Sequence, residues 1–333
     1  MKAMVLRETG PAGPGRLAME ELDRPVPGGH EILIEVHACG VCRTDLHTVE
    51  GDLTLPHLPL IVGHQIVGHV LEIGPHVERF SLGDRVGVPW LGWTCGECDF
   101  CRSGFENLCA KAEFTGLHRN GGYATHTKAH ESFSYPIPEG FGDVEAAPLL
   151  CGGIIGYRAL RLTEVSVGGK LGMYGFGGSA HVTIQVARHL GMDVYVFTRS
   201  QKHQELALKL GARWAGGAYD ASPVALDGSI VFAPAGPLVP KALGDLRPGG
   251  IVSLAGITMT PIPEFDYDSL LYHERQVRSV ANFTRRDAVE LLRYAVTIPI
   301  RTEVTTYPLA QANDALVALK ESRIQGMAVL IMK

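Results

Sequence analysis

The sequence predicts an α/β protein of two domains, one mostly β and one built on a doubly wound parallel sheet. Its 333 residues, 46% of them hydrophobic, exceed a single core of about 100 to 150 residues. Short β-branched runs between Gly/Pro turns fill residues 1 to about 150. Beyond about residue 154 strands and helices alternate, which indicates βαβ units and a parallel sheet. We expect a first domain of residues 1–151 and 285–333 and a second of residues 152–284.

The predicted elements follow this division along the chain. The β-branched runs of the first domain are "EILIEVHA", "IVGHVLEIG" and "DRVGVPW", and helical periodicity is scarce there. The second domain is predicted to run strand "KLGMYGF", helix "SAHVTIQVARHLG", strand "DVYVFTR", helix "QKHQELALKLGA", strand "SIVFAPA", helix "LVPKALGDL" and strand "GIVSLAG". After about residue 285, the helix "RRDAVELLRYA" and the final strand "MAVLIMK" form a tail that we expect to return to the first domain.

The charge distribution argues against nucleic acid as a binding partner. The formal net charge is -5, and Lys and Arg are scattered along the chain, so there is no basic face to meet a phosphate backbone. The start "MKAMVLRETG" lacks the order of a signal peptide, and no apolar run approaches the ~20 residues that span a bilayer. We therefore expect a cytoplasmic protein with neither nucleic acid nor membrane as a partner.

Four of the seven cysteines fall in one short loop. The stretch "CGECDFCRSGFENLC" contains Cys95, Cys98, Cys101 and Cys109, and four thiolates so close can surround one zinc ion. A site closed by four sulfurs is structural, because it leaves no coordination position for a reactant. The alternatives are unpaired surface thiols, or an iron-sulfur cluster, whose ligand spacings resemble this one in part.

The stretch "CGVCRTDLH", residues 39–47, concentrates reactive side chains at the end of a predicted buried strand, where we expect a loop. It offers Cys42 as a thiolate donor, and Cys151 is a second one about a hundred residues away. A catalytic zinc needs a third ligand of the Cys or His type and a free fourth position. His64 in "LIVGHQIVGHV" is the best candidate among fourteen histidines because glycine frees the backbone before it; His69 is a weaker rival.

The stretch "GMYGFGGSAHVTIQVARH" follows a predicted strand and opens a predicted helix, which is the context of a dinucleotide-binding turn. Gly175, Gly177 and Gly178 allow a pyrophosphate to approach the helix N-terminus, and Ala180 replaces the third glycine. The alternative is a plain strand-helix corner.

No Asp or Glu follows the next strand, where an NAD-selective site would place one on the ribose. Thr198, Arg199 and Ser200 stand there instead and supply the chemistry of a 2'-phosphate site. We therefore favour NADP(H). NAD(H) is the alternative, because Arg199 could equally stack on adenine. Gly256, at the end of "GIVSLAG", completes the candidate cofactor residues.

These motifs, in their order and spacing, resemble the zinc-dependent medium-chain alcohol dehydrogenases over almost the whole chain. Besides the cysteine loop and the glycine turn, the motifs are "CGVCRTDLH", "GHQIVG", "GDRVGV" and "LLCGGIIGYRAL". Within the family the sequence is most similar to the compact bacterial members related to yeast-type and cinnamyl alcohol dehydrogenases. The resemblance implies a Rossmann-type domain, a GroES-like catalytic domain and two zinc ions per subunit.

The resemblance also assigns roles to individual residues. It implies that the catalytic zinc is held by Cys42, His64 and Cys151. Thr44 would share a proton with the bound alcohol, and His47 would carry it toward solvent. Asp45 would accept the second ring N–H of His64, Arg43 would lie near the cofactor pyrophosphate, and Cys39 has no family role.

Two residues depart from the family pattern. Gln65 stands where most relatives have Glu beside the metal, so the site carries one negative charge fewer. Met327 stands where relatives often have an Arg that contacts the cofactor phosphate.

Trp90 occupies a position that lines the substrate pocket in yeast-type relatives, and Leu91, Leu117 and Ile257 could extend an apolar wall. The alternative for Trp90 is a place in the hydrophobic core.

The resulting expectation is reversible hydride transfer between a primary aliphatic or aromatic alcohol, or its aldehyde, and a nicotinamide cofactor. The competing class is a zinc-stabilised, nucleotide-binding protein without catalysis, which would have no need to retain Thr44, His47 and the open-site ligands. By analogy with relatives of this length we expect a homodimer or homotetramer, in which "GIVSLAG" could pair across a two-fold axis.

Overall fold

The computed structural model describes residues 1–324 and 326–332 and divides the chain into two compact units. The first contains Met1–Cys151, Thr284–Val296 and the described residues from Arg301 onward. The second contains Gly152–Phe283 and Thr297–Ile300. The tail expected as one block, 285–333, is therefore interrupted at Thr297–Ile300, whose contacts lie in the second unit. No described helix is both long and apolar enough to cross a bilayer.

The described residues form strands and helices throughout both units. The strands, in chain order, are β1 (Lys2–Leu6), β2 (Leu17–Glu21), β3 (Glu31–Val41), β4 (Leu60–Ile61), β5 (Ile66–Ile73), β6 (Arg85–Val88), β7 (Leu91–Trp93), β8 (Glu113–Phe114), β9 (His126–His130), β10 (Tyr135–Pro136), β11 (Lys170–Tyr174), β12 (Asp193–Phe197), β13 (Trp214–Gly216), β14 (Leu226–Val231), β15 (Leu246–Leu254), β16 (Gln276–Ser279), β17 (Val304–Pro308) and β18 (Met327–Ile331). The α-helices are α1 (Arg43–Glu50), α2 (Asp99–Arg102), α3 (Asp143–Ala146), α4 (Gly152–Leu162), α5 (Gly178–His189), α6 (Gln201–Lys209), α7 (Leu238–Gly244), α8 (Tyr267–Leu270), α9 (Arg285–Thr297) and α10 (Ala312–Lys320).

The second unit is built on one parallel sheet with the strand order β13-β12-β11-β14-β15-β16. Counted from β11, this is the order 3-2-1-4-5-6 of a doubly wound dinucleotide-binding sheet. Its strands β11, β12 and β14 are almost entirely buried, because helices cover parallel sheets on both faces. The order reverses between β11 and β14, so a ligand is expected at the carboxyl end of β11.

One expectation about this sheet is wrong. The stretch "GIVSLAG" lies mainly in β15, which pairs with β14 on one side and β16 on the other. Both hydrogen-bonding sides of β15 are therefore occupied, and it cannot pair across a two-fold axis. The edges of the described sheet are β13 and β16, neither of which was predicted as a strand.

The first unit is mostly β and centres on the long strand β3. Its larger sheet has the order β10-β6-β5-β3-β18-β17, with β9 also paired to β3, and a smaller sheet has the order β2-β1-β4. The tail returns to this unit through β18, which pairs antiparallel with β3. Buried aliphatic side chains of β1, β3 and β5 share one core with α10.

The segment after β3 is a helix, not the expected loop. Cys42 is its N-cap, and the Asp45 carboxylate accepts the Cys42 backbone N–H in a capping-box arrangement. Gly51 ends the helix in the left-handed conformation, φ 86°. The eight-residue length and a polar composition hide this helix from a search for apolar periodicity. It turns the motif into a rigid support for its side chains.

Candidate functional site

The four cysteines of the 95–109 loop converge on one point. The Sγ atoms of Cys98 and Cys101 lie 3.5 Å apart, those of Cys95 and Cys109 3.6 Å, and those of Cys95 and Cys101 3.9 Å. Four sulfurs around a tetrahedral zinc at about 2.3 Å lie about 3.8 Å apart, so the donor set fits that ion. Backbone N–H groups of Glu97 and Cys98 lower the pKa of Cys95 to about 6, which favours the thiolate that binds metal.

A second group brings together Cys42, His64 and Cys151, whose ligand atoms all lie within 4.8 Å of one another. The two sulfurs are 3.8 Å apart, and Cys151 Sγ is 3.3 Å from His64 Nε2. Cys42 sits between β3 and α1, His64 lies between β4 and β5, and Cys151 ends a short 3-10 turn, Ala147–Leu150. Three ligands of this kind fit a zinc whose fourth position is left to water or substrate.

The buried Asp45 carboxylate holds this group in place. Its Oδ1 is 2.8 Å from His64 Nδ1 and accepts the Gly63 backbone N–H at 3.2 Å. Its Oδ2 accepts the Cys42 N–H at 2.9 Å and the Tyr123 hydroxyl at 3.3 Å. With Nδ1–H donating to Asp45, His64 Nε2 faces the sulfurs and is the atom that would bind a metal after losing its proton. Tyr123 had no sequence signal, since it lies 78 residues from Asp45.

The electrostatics of the group match its donor chemistry. Burial lowers the pKa of His64, but the adjacent Asp45 charge outweighs burial and raises the pKa to about 10. A hydrogen bond from the Cys151 thiol lowers the pKa of Cys42 well below its usual range and raises that of Cys151. A metal ion here must displace the His64 Nε2 proton, so its affinity falls as the pH falls.

Two family models match the chain. The model described as alcohol dehydrogenase GroES-like domain matches residues 28–139, and that described as zinc-binding dehydrogenase matches residues 178–296. The probable alcohol dehydrogenase AdhA of Mycobacterium tuberculosis (strain CDC 1551 / Oshkosh) is 48% identical, with 100% of this chain and 97% of its own covered. An alcohol dehydrogenase of Geobacillus stearothermophilus is 34% identical, with 94% and 96% covered. A cobalt and zinc bound thermostable alcohol dehydrogenase from Pyrobaculum aerophilum superposes with a TM-score of 0.90 at 25% identity, with 100% and 99% covered.

Similarity at this level over the full chain decides the family. The chain belongs to the zinc-dependent medium-chain alcohol dehydrogenases. It is therefore an oxidoreductase with alcohol dehydrogenase activity of the zinc type, which acts on a small-molecule alcohol with a nicotinamide cofactor. The predicted α/β class, a Rossmann-type domain and a GroES-like domain, is confirmed.

In this alcohol dehydrogenase, α1 presents the candidate proton-carrying side chains. Thr44 is buried, and its Oγ1 lies 3.8 Å from Cys42 Sγ. His47 is one turn further along the same face and is partly exposed. Its Nδ1 lies 2.7 Å from a carboxylate oxygen of Asp52, a residue that the sequence analysis missed. The available signal was the helix end: Gly51 reverses the chain, and the Asp52 N–H donates to the His47 carbonyl.

The glycine turn of this alcohol dehydrogenase opens α5 directly after β11. Gly175 has φ +91°, and a Cβ there would lie 2.9 Å from the Ala233 nitrogen, so glycine is required. Gly177 is the N-cap, has no side chain to satisfy the first N–H groups, and has open space where a Cβ would be. Free N–H groups at the start of a twelve-residue helix fit a pyrophosphate.

The three residues after β12 are not equally available to a ligand. Thr198 is buried, and its carbonyl accepts from Gln204. Ser200 is the N-cap of α6, and its hydroxyl accepts the His203 N–H at 3.4 Å. Arg199 alone of the three is exposed. Gly256 follows β15, and a Cβ there would lie 2.9 Å from the Thr258 carbonyl oxygen.

Of the residues near the Cys42, His64 and Cys151 group, Trp90 packs against other rings and Gln65 has a side-chain oxygen without a hydrogen-bond partner among the described residues. Trp90 is buried, stands edge-on to His64 with ring centroids 4.9 Å apart, and stacks on Phe114 at 5.0 Å. Gln65 is buried, and its Oε1 has no hydrogen-bond partner among the described residues. Cys39 is also buried, and burial raises the pKa of its thiol, as expected of a small core residue.

The remaining candidates lie further from the ligand atoms. Arg43 is exposed, and its guanidinium is 3.5 Å from the Ser322 hydroxyl. Of the residues considered for the substrate pocket, Leu91 and Leu117 are buried in the first unit, and Ile257 is about half exposed in the second.

Met327, which stands at the position of a phosphate-binding Arg in relatives, begins β18 and pairs there with Val304. His69 lies on β5 and belongs to neither cysteine group.

Proposed function

We propose that the chain interconverts primary aliphatic or aromatic alcohols and their aldehydes, with the reacting oxygen at the Cys42, His64 and Cys151 group. The observation that carries this is the convergence of those three ligand atoms within 4.8 Å, with the Thr44 hydroxyl beside them. When bound there, zinc would act as a Lewis acid on the alcohol oxygen, and the nicotinamide would take up the hydride.

The chain's own side chains would orient the metal ligand His64 and transfer the proton that the alcohol releases. Asp45 fixes His64 with Nε2 free for the metal. The Thr44 hydroxyl would accept the proton of the alcohol as it releases its own, and His47, closer to solvent, would take up the released proton. The aromatic pair Trp90 and Phe114 excludes water beside His64 and favours an apolar substrate.

We further propose two zinc ions per subunit. The second is structural and held by Cys95, Cys98, Cys101 and Cys109, whose sulfur spacings suit a closed tetrahedron. All seven cysteines are free of disulfides, which fits the reducing conditions of the cytoplasm.

NADP(H) is our proposed cofactor. Gly175, Gly177 and Gly178 would receive the pyrophosphate at the start of α5. Arg199 is exposed after β12, where no carboxylate opposes a 2'-phosphate. Thr198 is less suited than the sequence suggested because its side chain is buried.

The test is a set of initial rates on protein whose zinc has been counted. NADPH and NADH oxidation are measured side by side with hexanal, benzaldehyde, cinnamaldehyde and acetone. We expect turnover of the aldehydes with NADPH preferred, and the preference should shrink at least tenfold in Arg199→Ala. A preference for NADH would reject the cofactor assignment and leave the reaction standing.

Cysteine variants separate the two metal groups. Cys151→Ser should lose about one zinc and the activity, Cys109→Ser should lose zinc together with thermal stability, and Cys39→Ala, the matched control, should keep both ions. Full activity in Cys151→Ser would reject the proposed site.

A further inference from the structure

The outer face of the β3–β5 sheet carries a group of metal-binding side chains that the alcohol dehydrogenase reaction does not use. Glu35 and His37 lie on β3, and His69 lies on β5 directly opposite Glu35 in the antiparallel register. Directly opposite residues on one sheet face have Cβ atoms about 4.5–5.5 Å apart, so their side chains can share a ligand. The ring centroids of His37 and His69 are 4.6 Å apart.

His37 is oriented as a metal-binding histidine would be. Its Nδ1 lies 2.8 Å from Asp143 Oδ2, and Arg85 holds the other oxygen of that carboxylate at 2.6 Å. With Nδ1–H donating to Asp143, the His37 Nε2 carries a lone pair. This Nε2 faces Glu35, whose Oε2 is 3.9 Å away. A carboxylate behind the ring is the arrangement that supports a metal-bound imidazole.

The other two side chains are free to complete the group. The His69 ring makes no hydrogen bond within 1–324 and 326–332, and the Glu35 side chain is half exposed. Two carboxylates and one guanidinium leave the cluster a charge of about -1 when the imidazoles are neutral. Such a cluster attracts a divalent cation.

We propose that Glu35, His37 and His69 form a surface site for a divalent transition-metal ion such as Zn²⁺, with Asp143 as the carboxylate that orients His37. Two ligands at about 2.1 Å from a tetrahedral ion lie about 3.4 Å apart. His37 Nε2 and Glu35 Oε2 are 3.9 Å apart, but the three ligand atoms together do not lie within 4.8 Å of one another. Rotations of the half-exposed Glu35 and of the His69 ring would bring them around one ion. Imidazole and carboxylate ligands suit Zn²⁺, Ni²⁺ and Cu²⁺.

An ion at this site would tie β3 to β5, and to α3 through Asp143. Because it binds the folded state only, it raises the melting temperature in proportion to the logarithm of its free concentration. The site shares no ligand with either cysteine group. Its effect therefore concerns stability rather than turnover.

The experiment is a zinc titration of the zinc-loaded enzyme by calorimetry, with metal counted after equilibrium dialysis at micromolar free Zn²⁺. We expect one further equivalent beyond the ions already bound. His69→Gln and His37→Gln should each weaken this equivalent at least tenfold, and Asp143→Asn should weaken it about 10–100-fold through His37 alone. The melting temperature should rise with Zn²⁺ in the parent and not in His69→Gln.

The matched control is His76→Gln, because His76 also lies beside another histidine, with its ring centroid 5.6 Å from that of His30. It should bind the extra equivalent as the parent does. Retention of that equivalent in both His69→Gln and His37→Gln, or its loss in His76→Gln, overturns the proposal. Absence of any further equivalent in the parent also overturns it, whatever the outcome of the activity assays.

Discussion

The contact between His47 and Asp52 determines which imidazole nitrogen of His47 can take up a proton. With Nδ1–H donating to Asp52 at 2.7 Å, Nε2 is the basic atom. Asp52→Asn keeps the size of the side chain but removes its negative charge, and the new amide group can donate to the His47 ring as well as accept from it. We expect kcat to fall roughly tenfold, less than the ~10²–10⁴-fold that a proton-transferring group contributes. The measurement is kcat against pH at saturating alcohol.

Zinc content and melting temperature show whether Asp52→Asn acts by changing the orientation of His47 or by destabilising the fold. Asp52 is half exposed, so Asp52→Asn should leave the zinc content and the melting temperature unchanged. Glu8→Gln is the matched control, because Glu8 is also an exposed acid. Equal kcat values for Asp52→Asn and the parent at every pH would contradict the role.

Gln65 offers a test of the charge beside the metal group. Its Oε1 is buried without a partner in the described part of the chain, so a carboxylate in its place would also be buried. Gln65→Glu should change the pH–rate profile, because it places an additional ionisable group beside the metal ligands. The zinc content, counted by mass spectrometry, should not change. A variant that loses zinc would show that the added carboxylate disrupts the ligands instead.

The individual site residues differ in how far the sequence could predict them. The candidate ligands were recognisable because the seven cysteines are few, four of them share one short loop, and the motifs around Cys42, His64 and Cys151 resemble those of the family. Asp52 and Tyr123 were not, because one depends on the chain reversal at Gly51 and the other on a contact between distant segments. The burial of Thr198 could not be predicted, because it depends on packing in the second unit.

Among the elements, the turn before His64 has a backbone that requires glycine. Gly63 has φ +102°, and a Cβ there would lie 2.3 Å from the Tyr123 ring. Gly63→Ala should therefore shift both His64 and the Tyr123 hydroxyl that donates to Asp45. We expect a loss of zinc from the Cys42 group and a fall in kcat, measured together with the melting temperature.

Gly83→Ala is the control for that variant. Gly83 also has a positive φ, +85°, but a Cβ there meets nothing within 4 Å. Both variants bear the backbone cost of about 1–2 kcal/mol for a left-handed alanine. Only Gly63→Ala should also lose metal. Equal zinc contents in the two variants would mean that the turn does not position His64.

The elements of the second unit were predicted well because strong strand formers alternate with amphipathic helices there. The eleven-residue helix α4 was not predicted. Two other missed elements are short: α1 has eight residues with a polar surface, and β16 is an exposed four-residue strand. Such elements form because of caps and pairing partners, which periodicity does not report. The position of β16 in turn made β15 an inner strand.

For the whole molecule, β16 is the surface through which we expect copies of the chain to associate. It is the more exposed of the two described edges of the parallel sheet, and exposed edge strands readily pair with another chain. Val277 on this strand is partly exposed, as are Tyr267 and Tyr272 in the preceding segment. An isologous pairing of two β16 strands would cover this apolar surface and continue the sheet.

The prediction is a dimer or tetramer in solution that Val277→Lys weakens, because a lysine on an edge strand opposes pairing. Light scattering should give a multiple of the 35.9 kDa chain mass for the parent and a shift toward one chain mass for the variant. Val167→Lys is the control, since Val167 is exposed in the same unit but away from β16. A parent that is monomeric, or a variant whose mass does not fall, would place the association elsewhere. Retained zinc in the dissociated variant would show that each chain holds its own metal ligands, as the ligand sets require.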